Sequence, residues 1–231
     1  MNILEAKTAG TPSGMRILIT GASSGIGRAL AKRFLEEGAK VAVCARREPL
    51  LSPLKSKNTL AFCADVTKLS DIKLMIAEIE KSLGGLDALI NNAAVLKKGR
   101  LTEQPVQEWT ETLETDLNAP FLLSRLASPL ISKGAIINIS SGLSVYPMEP
   151  YGAYCVAKAG LNMLTRTLAM EWNGKIAVNA INPGVIHTEM NTSASEEPET
   201  LYPIVRALVL NGPKGPTGRF FDKTGLEISW G

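Results

Sequence analysis

The sequence predicts an α/β fold, a single-domain doubly wound parallel sheet with helices on both faces. Three observations carry that prediction. Strand-sized apolar runs alternate with helical segments along the whole chain, the order that builds parallel βαβ units. Those runs, such as Leu60-Ala61-Phe62-Cys63-Ala64 and Ala135-Ile136-Ile137-Asn138-Ile139, are nearly continuous in apolar residues, as strands covered on both faces are. Segments rich in glycine, amides or small residues follow the strands directly, at the ends where an open parallel sheet binds ligands. At 231 residues the chain fits one such domain with ample core.

Composition narrows the function classes. Hydrophobic residues make up 45% and charged residues 20%, and the net charge of +3 is too small and dispersed for a nucleic-acid partner. No apolar stretch nears the roughly 20 residues of a membrane span, and Met1-Asn2-Ile3-Leu4-Glu5 lacks a basic region followed by an apolar core. A cytoplasmic protein with no membrane partner is expected. Cys44, Cys63 and Cys155 are odd in number, show no C-x-x-C spacing and have one histidine, His187, for company, so neither a disulfide framework nor a metal site is expected. All three are predicted as buried free thiols.

In chain order, residues 1–14 end in Ala9-Gly10-Thr11-Pro12-Ser13-Gly14 and read as a flexible leader, leaving 15–231 as the folded domain. A first strand from Met15 to Thr20 runs into Gly21-Ala22-Ser23-Ser24-Gly25-Ile26-Gly27, followed by a helix that stops at Gly38. Glycines between strand and helix let the backbone approach a pyrophosphate and aim N–H groups and the helix N-terminus at it. Gly21, Ser23, Ser24, Gly25, Ile26 and Gly27 are therefore candidates for holding a dinucleotide. The second strand, Lys40 to Ala45, ends at Arg46 and Arg47. A carboxylate at that place selects NAD, whereas an arginine accommodates the 2′-phosphate of NADP, so NADP(H) is the predicted cofactor.

Pro49 and Pro53 limit any helix between Glu48 and Lys57 to a short, broken one. A buried strand at 60–64 leads to Asp65-Val66, and a helix from Leu69 to Leu83 stops at Gly84-Gly85. The strand starting at Ala88 ends in Asn91-Asn92-Ala93-Ala94, where the amides could pin the sheet or contact a ligand. A long helical region runs from Pro105 to about Ile131, with a kink expected at Pro120. A strand at 135–140, a helix at 152–172, a strand from Lys175 to Ile181, a polar loop from Thr188 to Thr200, a helix near 201–210 and a last strand near 218–221 complete the chain.

Within the helix at 152–172, Tyr154 and Lys158 stand at i and i+4 and share a face. An ammonium beside the phenol is expected to lower its pKa toward the range of general acid-base work, and Ser141 would hold a substrate oxygen.

Together these stretches resemble the short-chain dehydrogenase/reductase family in its single-domain Rossmann form. The resemblance covers 15 to about 190 and rests on Thr20 to Gly27 as T-G-x-x-x-G-x-G, Asp65-Val66, Asn91-Asn92-Ala93-Ala94, Ser141, Tyr154-x-x-x-Lys158 and Pro183-Gly184, all in family order. Tyr151 is excluded as the family tyrosine because Cys155 lies four residues beyond it. The resemblance implies hydride transfer between a nicotinamide and a carbonyl or alcohol carbon, with Tyr154 as acid or base, Lys158 on the nicotinamide ribose and Ser141 on the reacting oxygen. It further implies that Asp65 and Val66 meet the adenine, that Asn92 and Ala93 meet the adenosine-side ribose region, that Val185, Ile186 and Thr188 meet the carboxamide end, and that Pro183 and Gly184 also bind the cofactor. His187, among these, is read as solvated or structural.

Three departures stand out. Seven residues after Trp109, where the family pattern has a water-holding Asn, this chain has Asp116, whose charge would stabilise the Lys158 ammonium and alter the pH profile; Asn118 would face elsewhere. Ala94 replaces a glycine, and the tail from Gly212 lacks the common D-G-G ending. The resemblance implies a carbonyl reductase, or the reverse alcohol dehydrogenase, acting as a homodimer or homotetramer paired through its two long helices. Two alternatives are a 3-oxoacyl-carrier-protein reductase, with Lys97, Lys98 and Arg100 toward an acidic carrier, and a non-catalytic cofactor-sensing or scaffold protein. Leu143, Val145, Tyr146, Met148, Glu149 and Met190 suggest a mainly apolar, medium-sized carbonyl substrate.

Overall fold

The computed structural model describes residues 3–4 and 10–230. Its seven strands are β1 Arg16–Thr20, β2 Lys40–Ala45, β3 Thr59–Cys63, β4 Ala88–Asn91, β5 Gly134–Ile139, β6 Ile176–Asn182 and β7 Phe220–Asp222. They form one sheet in the order β3-β2-β1-β4-β5-β6-β7, and every neighbouring pair is parallel. The helices are α1 Gly25–Glu36, α2 Leu69–Leu83, α3 Val106–Leu113, α4 Ala119–Ala127, α5 Gly152–Glu171 and α6 Tyr202–Asn211. The chain winds outward from β1 in one direction and from β4 in the other, so a crevice opens between the C-terminal ends of these two strands.

The alternation of side chains along each strand divides the core into two layers. Ile17 and Ile19 of β1 join Val41, Val43, Leu30, Phe34, Ile204 and Leu208 on the α1 and α6 face. Leu18 between them joins Leu89, Ile136, Val178, Ile72, Met75, Ile79 and Leu123 on the α2 and α4 face. At the other end of the sheet Arg16 clasps Asp87: its backbone N–H and Nε donate to Oδ2 at 2.8 and 3.0 Å, and its NH2 donates to Oδ1 at 2.8 Å. This fork holds the starts of β1 and β4 together and leaves their far ends to carry chemistry.

Three sequence expectations need correction. The strand at 60–64 is not buried: β3 lies at the sheet edge, with a half-covered face and an exposed one. Cys63 is accordingly exposed, whereas Cys44 and Cys155 are buried. The region from 105 to 131 is helical from 106 to 130 as expected, but not as one regular helix. Between α3 and α4 the chain makes a π-helical turn over Glu114–Asn118, in which the N–H of Ala119 bonds the carbonyl of Glu114. Pro120, just inside α4, has no N–H to give the carbonyl of Asp116, and widening the helix ahead of it absorbs the mismatch.

Of the stretch read as a leader, residues 1–2 and 5–9 lie outside the described residues, while Ile3 is buried against the core and its N–H bonds the Gly225 carbonyl at 3.1 Å. Among the described residues no helix is long and apolar enough to cross a membrane.

Candidate active site

The glycine turn is held open by backbone geometry. Gly21 and Gly25 take φ values of +67° and +52°, where a side chain is strained. Space is equally tight: a Cβ on Gly21 would come within 2.8 Å of the Ala93 Cα, and one on Gly27 within 2.5 Å of the Gly21 carbonyl oxygen. Asn92 fastens this turn to the end of β4. Its amide donates to the carbonyls of Thr20 at 2.8 Å and Gly21 at 3.2 Å, while the backbone N–H groups of Asn92 and Ala93 both donate to the Thr20 hydroxyl at 3.0 Å. The Asn92 side chain is thus engaged in positioning the turn. Asn91 points into the core, donating to Asn138 at 2.8 Å, which in turn donates to Thr165 at 2.8 Å.

Above the strand ends lies a cavity of about 1370 Å³, larger than the roughly 300–1,000 Å³ of a site for one drug-sized ligand. It has room for a dinucleotide with a second molecule beside it. Its lining includes Gly21, Ser23, Ser24, Gly25 and Ile26 of the turn, Arg46 and Arg47 after β2, Asp65 and Val66 after β3, Asn92 and Ala93 after β4, Ser141, Tyr154 and Lys158, and Pro183, Gly184, Val185, Ile186 and Thr188 after β6. Of the sequence-chosen residues, Gly27, Asp116, the substrate-side Val145 and Glu149, and Arg100 are not in that lining. Gly27 is buried where α1 crosses the turn, and Asp116 is buried behind Lys158.

Asp65 is partly committed to its own loop: Oδ1 accepts from the Thr67 N–H at 3.0 Å and the Thr67 hydroxyl at 2.8 Å. Burial alone would raise its pKa, but these bonds and the nearby Arg46 and Lys68 charges hold it below the usual carboxylate value.

The cluster of Ser141, Tyr154, Lys158 and Asp116 is assembled from the turn after β5, the π turn and α5. Ser141 lies two residues beyond β5 and caps a short 3₁₀ turn, its hydroxyl accepting the Leu143 N–H at 3.1 Å. Lys158, 2% exposed, places its ammonium 5.3 Å from the Tyr154 ring centroid, 3.0 Å from the Ile139 carbonyl oxygen and 3.3 Å from Asp116 Oδ2. Asp116 is fully buried, and its Oδ1 accepts the Val95 N–H at 2.8 Å. The π turn is what aims this carboxylate at α5. Asn118, exposed and donating to Glu114 at 2.8 Å, faces away as its helical offset suggested.

Electrostatically the cluster differs from the expectation for Tyr154. Burial raises the phenol's pKa, the Lys158 charge and the Ser141 hydrogen bond oppose this, and the Asp116 charge reinforces it, so the net shift is upward. The lysine acts in the expected direction and is outweighed. Lys158 itself would be lowered by burial, yet Asp116 and Tyr154 hold it above its ordinary value. Burial raises Asp116 against the pull of Lys158 and the Val95 N–H.

A second tyrosine shares the cavity. Tyr151 has Lys98 over its ring at 5.6 Å, a lysine brought from the loop after β4 and not from its own helix. Lys98 is exposed, whereas Lys158 is sealed in with a carboxylate. His187 is exposed, with Nδ1 2.9 Å from the Ala194 carbonyl oxygen.

Two site residues escaped the sequence reading. Asn182 Oδ1 accepts the N–H groups of both Gly142 and Gly184 at 3.0 Å, joining the Ser141 turn to the Pro183-Gly184 turn. Its position at a strand end just before Pro-Gly was the available signal. Glu189 reaches Arg47 across the mouth of the cavity at 2.7 Å, a pairing no sequence spacing announces.

The chain matches the family described as short chain dehydrogenase over residues 15–199. It is 36% identical over 184 residues to an NAD-dependent glycerol dehydrogenase of Listeria innocua, covering 77% of this chain and 72% of that protein. It is 35% identical over 191 residues to the 3-oxoacyl-[acyl-carrier-protein] reductase of Staphylococcus aureus, covering 78% of each. Among solved structures, a short-chain type dehydrogenase/reductase from Mycobacterium marinum superposes with a TM-score of 0.85 at 27% identity, over 92% of this chain and 94% of that one. A dehydrogenase/reductase from Sinorhizobium meliloti does so at 0.83 and 31% identity, over 91% and 93%. With its sheet order, its glycine turn between β1 and α1 and most of its length matched in this way, the chain belongs to the short-chain dehydrogenase/reductase family of oxidoreductases.

Proposed function

We propose that the protein is an NADP(H)-dependent oxidoreductase interconverting a carbonyl compound and its alcohol, with Tyr154 as general acid and base. The observation that carries this reading is the grouping of Ser141, Tyr154 and Lys158 at one end of a cavity whose other end is bordered by Arg46 and Arg47. The donor set suits a phosphorylated dinucleotide. The glycine turn and the N-terminus of α1, whose cap residue Ser24 makes no side-chain bond to the first turn, offer N–H groups to a pyrophosphate. Two guanidiniums beside the neutral Ala45 suit a 2′-phosphate. When bound, NADP(H) supplies or accepts the hydride.

The chain's own residues do the rest. Tyr154 gives its proton to the carbonyl oxygen during reduction and takes it from the alcohol in reverse, while Ser141 donates a hydrogen bond to the same oxygen. The upward shift of the phenol suits the acid role at neutral pH. Lys158 holds positive charge beneath the phenol and so stabilises the phenolate left behind. Asn182 fixes the two turns that flank this oxygen site.

Consumption of NADPH absorbance with a panel of ketones, aldehydes and diketones tests this function. Turnover of at least one class is expected, with NADPH preferred to NADH. Replacing Arg46 and Arg47 together by Ala is expected to cut kcat/KM for NADPH by about 100-fold, since each charge-assisted bond contributes about 1.5–3 kcal/mol, and to leave the NADH value within a few-fold. Equal loss with both nucleotides would defeat the NADP assignment.

A second reading, a 3-oxoacyl-carrier-protein reductase, is favoured by the Staphylococcus relative and by Lys97 and Lys98 on the cavity wall. Against it, Lys97 is paired with Glu111 at 3.2 Å and Arg100 with Glu149 at 2.7 Å, which cancels much of the charge an acidic carrier would meet. Equal rates with a free 3-oxoacyl thioester and its carrier-bound form would favour the small-molecule reading.

Assembly as a homodimer or homotetramer belongs to the same proposal. Val156, Met163 and Met170 recur every seven residues on α5 with 45%, 57% and 80% of their surface exposed, and Phe121 of α4 is 40% exposed. Light scattering is expected to give at least twice the 24.7 kDa chain mass, and Met163→Lys to reduce it. A wild-type monomer at micromolar concentration would refute the assembly.

A further inference from the structure

The loop between β6 and α6 crosses the mouth of the cavity on the side of the glycine turn. Thr188 lies so close there that a Cβ on Gly25 would stand 2.8 Å from its Cγ2. The next residue, Glu189, brings Oε2 to 2.7 Å from NH2 of Arg47, a partner 142 residues away. The Arg47 bond, with the Ser24 side chain and the Arg28 charge as smaller contributions, holds that carboxylate below its ordinary pKa, and the same Arg47 nitrogen lies 3.4 Å from the Ser23 hydroxyl. One protein carboxylate therefore sits among a guanidinium and a helix-cap hydroxyl that border the phosphate end of the cavity. These groups are suited to an anion, and Glu189 provides one from the chain itself.

We infer that Glu189 is a specificity-determining residue whose carboxylate competes with the 2′-phosphate of NADP for Arg47, so that the phosphate must displace it to bind. The inference rests on the NADP reading above and adds an opposing group to it. Its size follows from exposure. The Arg47 and Glu189 side chains are 53% and 58% exposed, and a solvated pair of this kind shifts an equilibrium by only a few-fold. A phosphate brings about two charges and three acceptor oxygens where Glu189 reaches the guanidinium with one oxygen, so the phosphate wins. Its affinity is reduced by the competition, while a nucleotide without a 2′-phosphate leaves the pair intact. Glu189 thus narrows the margin by which the site prefers NADP to NAD. The base of the loop survives displacement, because the His187 N–H bonds the Glu196 carbonyl at 2.7 Å and Lys223 pairs with the Glu196 carboxylate.

Calorimetric titration with 2′,5′-ADP and 5′-AMP tests this on the whole chain, with wild type, Glu189→Gln, Arg47→Gln and the double variant compared at one low ionic strength. Glu189→Gln is expected to tighten 2′,5′-ADP by about fivefold, to leave 5′-AMP unchanged, and to give no tightening when Arg47 is already Gln. Tightening of both ligands alike, or of neither, overturns the competition. If Arg47→Gln weakens 2′,5′-ADP while Glu189→Gln does nothing, Glu189 is a bystander and the NADP reading stands. If no variant distinguishes the two ligands, the NADP reading itself fails and this inference falls with it.

Discussion

Replacing Tyr154 by Phe is expected to lower kcat for carbonyl reduction by about 1,000-fold, within the 100- to 10,000-fold range of positioned general acids. Nucleotide affinity should hold within about threefold, because the substitution removes one hydroxyl and keeps the ring on which the Lys158 ammonium rests. The comparison that gives the result meaning is Tyr151→Phe. Both tyrosines line the cavity and each carries a lysine over its ring. They differ in what stands behind the lysine. Lys98 is exposed and screened by water, whereas Lys158 is buried, anchored on the Ile139 carbonyl and backed by Asp116. Tyr151→Phe should therefore retain activity within about threefold. If the two variants fell by similar factors, or if Tyr154→Phe kept more than about a tenth of wild-type turnover, the proton would come from another group.

How much of this was legible in the sequence depends on the distance over which each feature is encoded. The glycine turn, the doubled arginine after β2 and the Tyr154 to Lys158 spacing are local, and the sheet order then carries them to one crevice. Burial is not local in that sense. The apolar run of β3 looks like that of an inner strand, and only the strand order reveals that it lies on the edge and leaves Cys63 in solvent. The π turn was hidden for another reason: Pro120 signalled a disturbance, but sequence does not say whether a helix bends or widens around a proline. Glu189 and Arg47 lie on opposite walls of the cavity, and nothing in either neighbourhood points to the other. The direction of the Tyr154 shift was misjudged because the helix spacing reveals the lysine and conceals both the burial and the carboxylate beyond it.

That carboxylate carries the second large effect. Asp116→Leu is expected to destabilise the fold by about 3–5 kcal/mol, read from the denaturant midpoint, because it leaves the Lys158 ammonium sealed from water with the Ile139 carbonyl as its remaining neutral partner. Part of the loss is relieved if the amine gives up its proton, the direction in which burial already pushes it. The two halves of the wild-type pair act with opposite signs: Asp116, raised by burial, costs stability once pH passes its ordinary value, whereas the lysine contributes it. Lys158 is raised in the fold, so its contribution is fully present below its ordinary 10.5 and is lost as pH climbs through the raised value. Asp116→Asn removes the charge at nearly constant shape: its single amide oxygen can accept from the Val95 N–H or from Lys158 but not from both, so the fold should lose about 1–3 kcal/mol, less than in Asp116→Leu. Its kinetic signature should be plain. The Asp116 charge raises the phenol, so removing it lets the Tyr154 pKa fall. The alkaline limb of the reduction profile, which requires the protonated phenol, should move to lower pH, and the acid limb for alcohol oxidation, which requires the phenolate, should move with it. Asp116→Leu should shift the same limbs less if Lys158 loses its proton, because the opposing positive charge is then lost as well. Superimposable profiles for wild type and Asp116→Asn, together with an intact fold in Asp116→Leu, would mean that the carboxylate neither tunes the phenol nor supports the lysine.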